Sequence, residues 1–171
     1  VISSPGELFR FLTRLELISA PIIAQPFQNS PSLIVHGVRS ESGQIIALRA
    51  FSVPRKFEGL ALVLNETTLP EKIRKPCEQF AHDSSITGAF HYDLIFSPNR
   101  KFLYFLEINV RFGGTTDKVL RMGFDEPALM LAAYGLRGSS KENYPGGNHS
   151  RIVNKRAILK HMLFVLKDQL T

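Results

Sequence analysis

The sequence predicts an α+β fold in which an antiparallel sheet is flanked by helices. Two pairs of apolar segments alternate with period two across short polar turns, as β-hairpins do: 32–39 with 44–51, and 89–96 with 102–109. Segments with helical spacing lie before, between and after these pairs. With 171 residues, of which 44% are hydrophobic, the chain can bury a core and lacks the composition of a disordered tail.

The predicted helices have recognisable start signals. The first begins at Pro5 with Ser4 as its cap and extends to Leu17. A second covers 69–82, with a kink or break expected at Pro76. The other predicted helices cover 116–122, 128–136 and 152–170.

Composition suggests one domain followed by a short tail. We expect residues 1–136 to form the domain, 137–150 a loop or linker, and 151–171 a carboxy-terminal amphipathic helix that packs on the domain. A homodimer contact through that helix is the alternative. The single cysteine, Cys77, cannot form an internal disulfide and fits a reducing compartment, so we expect a cytoplasmic protein. No apolar run reaches membrane-spanning length, and no membrane partner is expected.

The chain is basic, with a formal net charge of +6 and a pI near 9.7. This balance suits either nucleic acid or a site for a polyanionic nucleotide. The sequence contains no zinc-finger spacing, basic zipper or aromatic-interleaved RNA motif. We therefore expect small-molecule ligands rather than nucleic acid.

The second hairpin carries the residues that point to a function. Residues i and i+2 of a strand share a face, so Glu107 and Asn109 present oxygen ligands in one direction. With the odd-length turn 97–101, Asp93 falls on the same face, directly across or one pair away. Such oxygen ligands suit Mg²⁺, and Arg111, which follows, suits bidentate contact with phosphate. A half-buried hairpin with a solvated polar face is the plain structural alternative.

The other face of this hairpin is predicted to pack on the core. Its residues are Phe90, Tyr92, Leu94, Phe96, Phe102, Tyr104, Leu106 and Ile108. On the polar face, His91 is either a phosphate or metal contact or a partly exposed strand residue. His36, inside an apolar strand, is predicted to be a satisfied core or face residue.

Segments 88–93 and 104–114 together resemble the carboxy-terminal part of ATP-grasp enzymes, nearest to the carbamoyl-phosphate-synthase-like and carboxylate–amine ligase branches. The shared pattern is a strand with an acidic ligand, a turn, and an apolar strand that ends Glu-x-Asn-x-Arg. The resemblance covers roughly 1–136. It implies that Mg²⁺ or Mn²⁺ on the ATP phosphates is held by Asp93, Glu107 and Asn109, and that Arg111 is the catalytic contact to the transferred phosphate.

Upstream, 20–30 resembles the family's hinge, a short buried strand and a turn whose backbone groups read the adenine edge. The nucleotide-binding residues that the resemblance implies are Gln25, Pro26, Phe27, Gln28 and Phe105. Phe105 is placed on the face of Glu107, where it lies under the adenine ring or packs in the core. Segment 54–59 resembles the loop before the family's long helix, with Arg55 and Lys56 either near substrate or phosphate or solvated.

The resemblance implies an ATP-dependent ligase. A small-molecule carboxylate attacks the γ-phosphate of ATP to give an acyl phosphate, and an amine or similar nucleophile then displaces phosphate. The family's amino-terminal domain and nucleotide lid would lie before Val1, so we expect this chain to be a carboxy-terminal piece that is inactive alone. The alternative is a non-catalytic, degenerate ATP-grasp module used for binding or assembly.

Overall fold

A computed structural model describes residues 2–15, 23, 25–28, 30–57, 60–96, 102–136 and 149–168. The elements in chain order are α1 (Pro5–Leu15), β1 (Ser32–Arg39), β2 (Ile45–Phe57), β3 (Leu60–Thr67), α2 (Glu71–Asp83), β4 (Gly88–Phe96), β5 (Leu103–Asn109), α3 (Thr116–Arg121), α4 (Glu126–Ala133), β6 (Arg151–Val153) and α5 (Lys155–Asp168). The strands form one antiparallel sheet in the order β5-β4-β1-β2-β3-β6. This confirms the predicted fold class. Among the described helices, none is long and apolar enough to cross a membrane.

The centre of the sheet is buried on both faces, so its strands are apolar at consecutive positions. In β1, Leu33 and Val35 pack on the side of α2, which contributes Ile73, Cys77 and Ala81 to that cluster. The alternate residues of β1 pack on the opposite side with α3 and α4. The polar residues of β4, at odd positions, therefore lie on the α3 and α4 side of the sheet.

Helix α2 is attached to the sheet by both packing and hydrogen bonding. The Tyr92 hydroxyl donates to the Cys77 carbonyl at 3.0 Å, and both residues are buried. The helix continues through Pro76, so the break allowed for at this residue does not occur. Burial of Cys77 and Ala81 on the far side of the proline offsets the hydrogen bond that Pro76 cannot make.

The first helix begins as predicted. The Ser4 hydroxyl accepts from the Glu7 backbone N–H at 3.2 Å, the geometry of an N-terminal cap. Helix α1 is assigned to Leu15, and the end predicted at Leu17 lies outside the described residues.

Three segments differ from the sequence predictions. The stretch 54–57, expected in a loop with Arg55 and Lys56, is the irregularly paired end of β2. Strand β3, which was not predicted, pairs with this end of β2. Residues Arg151–Val153 form β6 on the edge of β3, although the terminal helix was expected to include them. Pairing with a distant strand overrides the local helical spacing, and Asn154 caps α5 instead, accepting from the Ala157 N–H at 3.1 Å.

The predicted core face of β5 is wrong over part of the strand because of a β-bulge. Asp93 pairs with Glu107, but the next pair is Leu94 with Phe105, so Leu106 is an extra residue. One extra residue reverses which side chains face the core. The residues thereby moved from the predicted core face to exposed positions are Phe102, Tyr104 and Leu106, with 61%, 42% and 50% exposure.

The same bulge sends Phe105 to the α2 side of the sheet. Its ring stacks with Phe80 at 5.8 Å and meets Tyr92 edge-on at 5.4 Å between centroids. The structure therefore contradicts its expected placement on the face of Glu107. Of the two roles left open for Phe105, packing in the core is the one that these contacts support.

Candidate functional site

The three predicted oxygen ligands come together at one end of the β4–β5 hairpin. In the pairing of the two strands, Asp93 lies opposite Glu107, and His91 lies opposite Asn109. The Asn109 side-chain amide donates to Glu107 Oε1 at 2.8 Å. The three residues therefore share a face, as predicted, although Asp93 comes opposite Glu107 through the bulge at Leu106 and not through the odd-length turn 97–101 alone.

Asp93 is the electrostatically unusual member of this group. Burial raises the pKa of its carboxyl, and the facing Glu107 raises it further, whereas Lys56 opposes the shift. Its Oδ1 is buried and has no hydrogen-bond partner among the described residues. A buried carboxylate oxygen without a partner is costly unless a ligand or cation satisfies it.

The donor set suits a metal ion that is shared with phosphate and water better than one held by protein ligands alone. In the described part of the chain, no three His, Cys, Asp or Glu side chains are grouped to hold a metal ion. Two carboxylates and one carboxamide are too few for a metal cage built by protein alone. They fit Mg²⁺, which is usually held by one or two carboxylates, with phosphates and water as the remaining ligands. The unpartnered Asp93 oxygen agrees with this fit.

Arg111 lies just beyond β5 at the surface. Its guanidinium donates to the Phe112 carbonyl at 3.0 Å, and the side chain is exposed. The exposed position leaves most of its donors available to an anionic ligand.

The two glycines after Arg111 have different surroundings. A Cβ on Gly113 would lie 2.5 Å from Cε1 of His91, so the close approach of that ring requires glycine here. A Cβ on Gly114 would meet nothing within 4 Å. Gly113 therefore serves internal packing, and only Gly114 is open to a ligand.

His91 is not a partly exposed strand residue, because only 7% of it is exposed. Its ring stacks on that of His36 with centroids 5.2 Å apart. Burial lowers the pKa of His91, and the neighbouring His36 adds to the effect. Like Asp93, it has a buried polar atom, Nδ1, without a partner among the described residues.

His36 is fully buried and satisfied, as predicted. Its Nδ1 lies 3.0 Å from Glu126 Oε1, and its Nε2 lies 2.9 Å from Thr115 Oγ1. Glu126 is 0% exposed and also accepts from the Thr116 hydroxyl at 2.6 Å. The roles of Thr115 and Glu126 could not be predicted from the sequence, because these residues lie 79 and 90 residues from His36. The available signal was a glutamate at the start of an otherwise apolar helix.

The hinge prediction is contradicted in part. Residue 23 and residues 25–28 lie outside the strands, and Ile23 and Phe27 are 89% and 66% exposed. The expected buried strand is therefore not formed by the described residues of this segment. Residues 20–22, 24 and 29 lie outside the described residues, and contact between 25–28 and adenine stays a prediction.

Several solved structures resemble this chain over most of its length. N5-carboxyaminoimidazole synthetase from Staphylococcus aureus, complexed with ADP, has a TM-score of 0.64 and 14% identity over 81% of this chain and 38% of that chain. L-amino acid ligase from Bacillus licheniformis has a TM-score of 0.57 and 15% identity over 87% of this chain and 39% of that chain. Biotin carboxylase from Campylobacter jejuni, in a β-γ-ATP complex, has a TM-score of 0.54 and 16% identity over 76% and 29%.

These similar structures are ATP-grasp proteins, and the chain has the fold of the carboxy-terminal portion of such proteins. At identities of 14–16%, the likeness establishes the fold alone. The chain spans less than two fifths of each of the three structures. No protein-family model and no curated protein matches the sequence.

Proposed function

We propose that this chain is the carboxy-terminal part of an ATP-dependent ligase that joins a small carboxylate to an amine or similar nucleophile through an acyl phosphate. The observation that carries the proposal is the pairing of Asp93 with Glu107 beside Asn109, at the end of a strand followed by Arg111. These groups lie on a fold shared with an L-amino acid ligase, an N5-carboxyaminoimidazole synthetase complexed with ADP and a biotin carboxylase in a β-γ-ATP complex.

In this proposal, Asp93, Glu107 and Asn109 hold Mg²⁺ or Mn²⁺ that arrives with ATP. When bound, the ion neutralises phosphate charge. The hydrogen bond from Asn109 to Oε1 orients the Glu107 carboxylate. Arg111 contacts the phosphoryl group that moves, where its guanidinium stabilises the negative charge.

We assign the adenine side of the nucleotide to Gln25, Pro26, Phe27 and Gln28. The supporting observation is that Phe27 is 66% exposed, which leaves its aromatic ring open to a planar ligand. Phe105 is left out of this assignment because it packs with Phe80 and Tyr92 on the other side of the sheet.

The compartment and assembly state belong to the same proposal. We place the protein in the cytoplasm, because its single cysteine is a buried free thiol. Helix α5 packs Ala157 against β3 and leaves the apolar residues Leu159, Met162 and Leu163 exposed, which is compatible with a homodimer contact.

The test of the proposed chemistry is to trap the acyl phosphate. The gene product that carries this chain is incubated with Mg²⁺-ATP, a panel of small carboxylates and hydroxylamine, which converts an acyl phosphate to a hydroxamate. We expect carboxylate-dependent hydroxamate and ADP, with a loss of roughly a hundredfold or more in Glu107→Gln. Glu66→Gln, which changes a carboxylate on β3 of the same sheet, is the matched control. Undiminished hydroxamate formation by Glu107→Gln would overturn the assignment.

A further inference from the structure

A buried hydrogen-bond network lies behind the segment that follows β5. Gly113 and Thr116 bind each other twice: the Gly113 N–H donates to Thr116 Oγ1 at 3.0 Å, and the Thr116 N–H donates to the Gly113 carbonyl at 3.1 Å. The Thr116 hydroxyl in turn donates to Glu126 Oε2 at 2.6 Å. The turn that begins two residues after Arg111 is thus tied to a fully buried carboxylate on α4.

The network continues into the sheet through His36. The other Glu126 oxygen, Oε1, meets His36 Nδ1 at 3.0 Å, and His36 Nε2 meets the Thr115 hydroxyl at 2.9 Å. Both hydroxyls of the Thr115–Thr116 pair are therefore used internally, as are both carboxylate oxygens of Glu126 and both ring nitrogens of His36. Three parts of the chain, namely β1, the 113–116 turn and α4, meet at this one network.

A second contact holds the same segment from the β4 side. The His91 ring fills the space where a side chain at Gly113 would be, and the ring donates a hydrogen bond to the Arg111 backbone carbonyl. The backbone that carries Arg111 is thus fixed by His91 on one side and by the Thr116–Glu126–His36 network on the other.

This arrangement costs more free energy than packing alone would require. A buried carboxylate, imidazole and hydroxyl pair lose their hydration, and apolar residues of similar volume often give equal or greater stability. What a fully satisfied polar network adds is a single defined geometry. Its position immediately after Arg111 indicates what that geometry serves.

We propose that Thr116, Glu126 and His36 are positioning residues that fix the backbone after Arg111, so that its guanidinium is presented beside Glu107 and Asn109. This inference rests on the proposed ATP-binding function. None of the three residues touches the nucleotide, and their effect is transmitted through the Gly113–Thr116 turn.

The test compares Thr116→Val, which removes the hydroxyl and keeps the shape, with Thr116→Ser, which keeps the hydroxyl. Each variant is made in the gene product that carries this chain, with Thr13→Val as a control because Thr13 makes an exposed hydroxyl contact within α1. Three quantities are measured: hydrogen exchange of the Gly113 amide by NMR, the thermal midpoint, and the dissociation constant for Mg²⁺-ATP.

We expect Thr116→Val to speed Gly113 amide exchange and to weaken Mg²⁺-ATP binding, each by about tenfold, whereas Thr116→Ser and Thr13→Val stay near wild type. Unchanged affinity in Thr116→Val, whatever its thermal midpoint, would reduce the network to packing and overturn the inference. An affinity in Thr116→Ser as weak as that in Thr116→Val would also overturn the inference. If the wild type binds no Mg²⁺-ATP, the proposed function fails and the positioning role fails with it, while Gly113 exchange still shows separately whether the network forms.

Discussion

Asp93 and Glu107 face each other across β4 and β5, although both are carboxylates. Like charges placed directly opposite in a sheet are destabilising. Burial and Glu107 together raise the pKa of Asp93, and one of its oxygens lacks a partner among the described residues. The pair is therefore a local weakness of the free chain that a bound cation would relieve.

Replacing Asp93 with asparagine should separate stability from binding. Asp93→Asn keeps the shape and removes one charge, so we expect the free energy of unfolding without ligand to rise by about 0.5–1 kcal/mol. Mg²⁺-ATP binding should be lost in the same variant. Urea denaturation measures the first effect, and Asp83→Asn, on the exposed end of α2, is the control. A less stable Asp93→Asn would show that the pair is not strained.

The β-bulge at Leu106 predicts which neighbouring aromatic residue stabilises the fold. Phe105 packs with Phe80 and Tyr92, whereas Tyr104 is 42% exposed. We expect Phe105→Ala to lower the free energy of unfolding by about 2–4 kcal/mol and Tyr104→Ala by less than about 1 kcal/mol. Chemical denaturation of both variants measures these losses. A larger loss in Tyr104→Ala than in Phe105→Ala would contradict the bulge and support the unbroken alternation predicted from the sequence.

The two glycines after Arg111 should respond differently to alanine. Because the His91 ring occupies the Cβ position of Gly113, Gly113→Ala should cost about 1–3 kcal/mol. Gly114→Ala should stay within about 0.5 kcal/mol, since nothing lies near that position. Adding His91→Ala to Gly113→Ala should recover part of the loss, which a double-mutant cycle measures. Equal costs at both glycines would contradict the packing described here.

Stability should fall at alkaline pH because of two buried groups. Burial raises the pKa of the Cys77 thiol from 9.0 to about 12, and burial also raises the pKa of the Tyr92 phenol. Above about pH 9 the unfolded chain loses the thiol proton first, so the free energy of unfolding decreases as pH rises towards 12, by up to about 1.4 kcal/mol per pH unit and group. Below pH 9 the contribution is fully retained.

Urea titrations at pH 8, 9 and 10 on wild type and Cys77→Ala check this pH dependence. The wild type should lose stability more steeply than the variant between pH 9 and 10. Parallel curves would mean that the thiol ionises as readily in the folded chain as in the unfolded one.

The sequence was sufficient to place Glu107 and Asn109 on one face, because the period of a strand is local information. The pairing of Asp93 with Glu107 depends also on the register between the two strands, which the bulge at Leu106 sets. It could not reveal the bulge, since the run of apolar residues from Leu103 to Leu106 satisfies either alternation equally well. Strand β6 was not predicted for a different reason. Its residues have helical spacing, and they form a strand only because they pair with β3. The contacts of His36 with Glu126 and Thr115 depend on a packing arrangement that no short segment encodes.

The central claim is that the β4–β5 hairpin binds Mg²⁺ together with ATP, and calorimetric titration tests it most directly. The gene product that carries this chain, and the 171-residue chain in parallel, are titrated with ATP in Mg²⁺ and again in excess chelator. We predict binding by the gene product that requires Mg²⁺ and is lost in Glu107→Gln and Asn109→Ala. A folded gene product that binds no ATP, or binds it equally well with chelator or without the Glu107 carboxylate, would contradict the account.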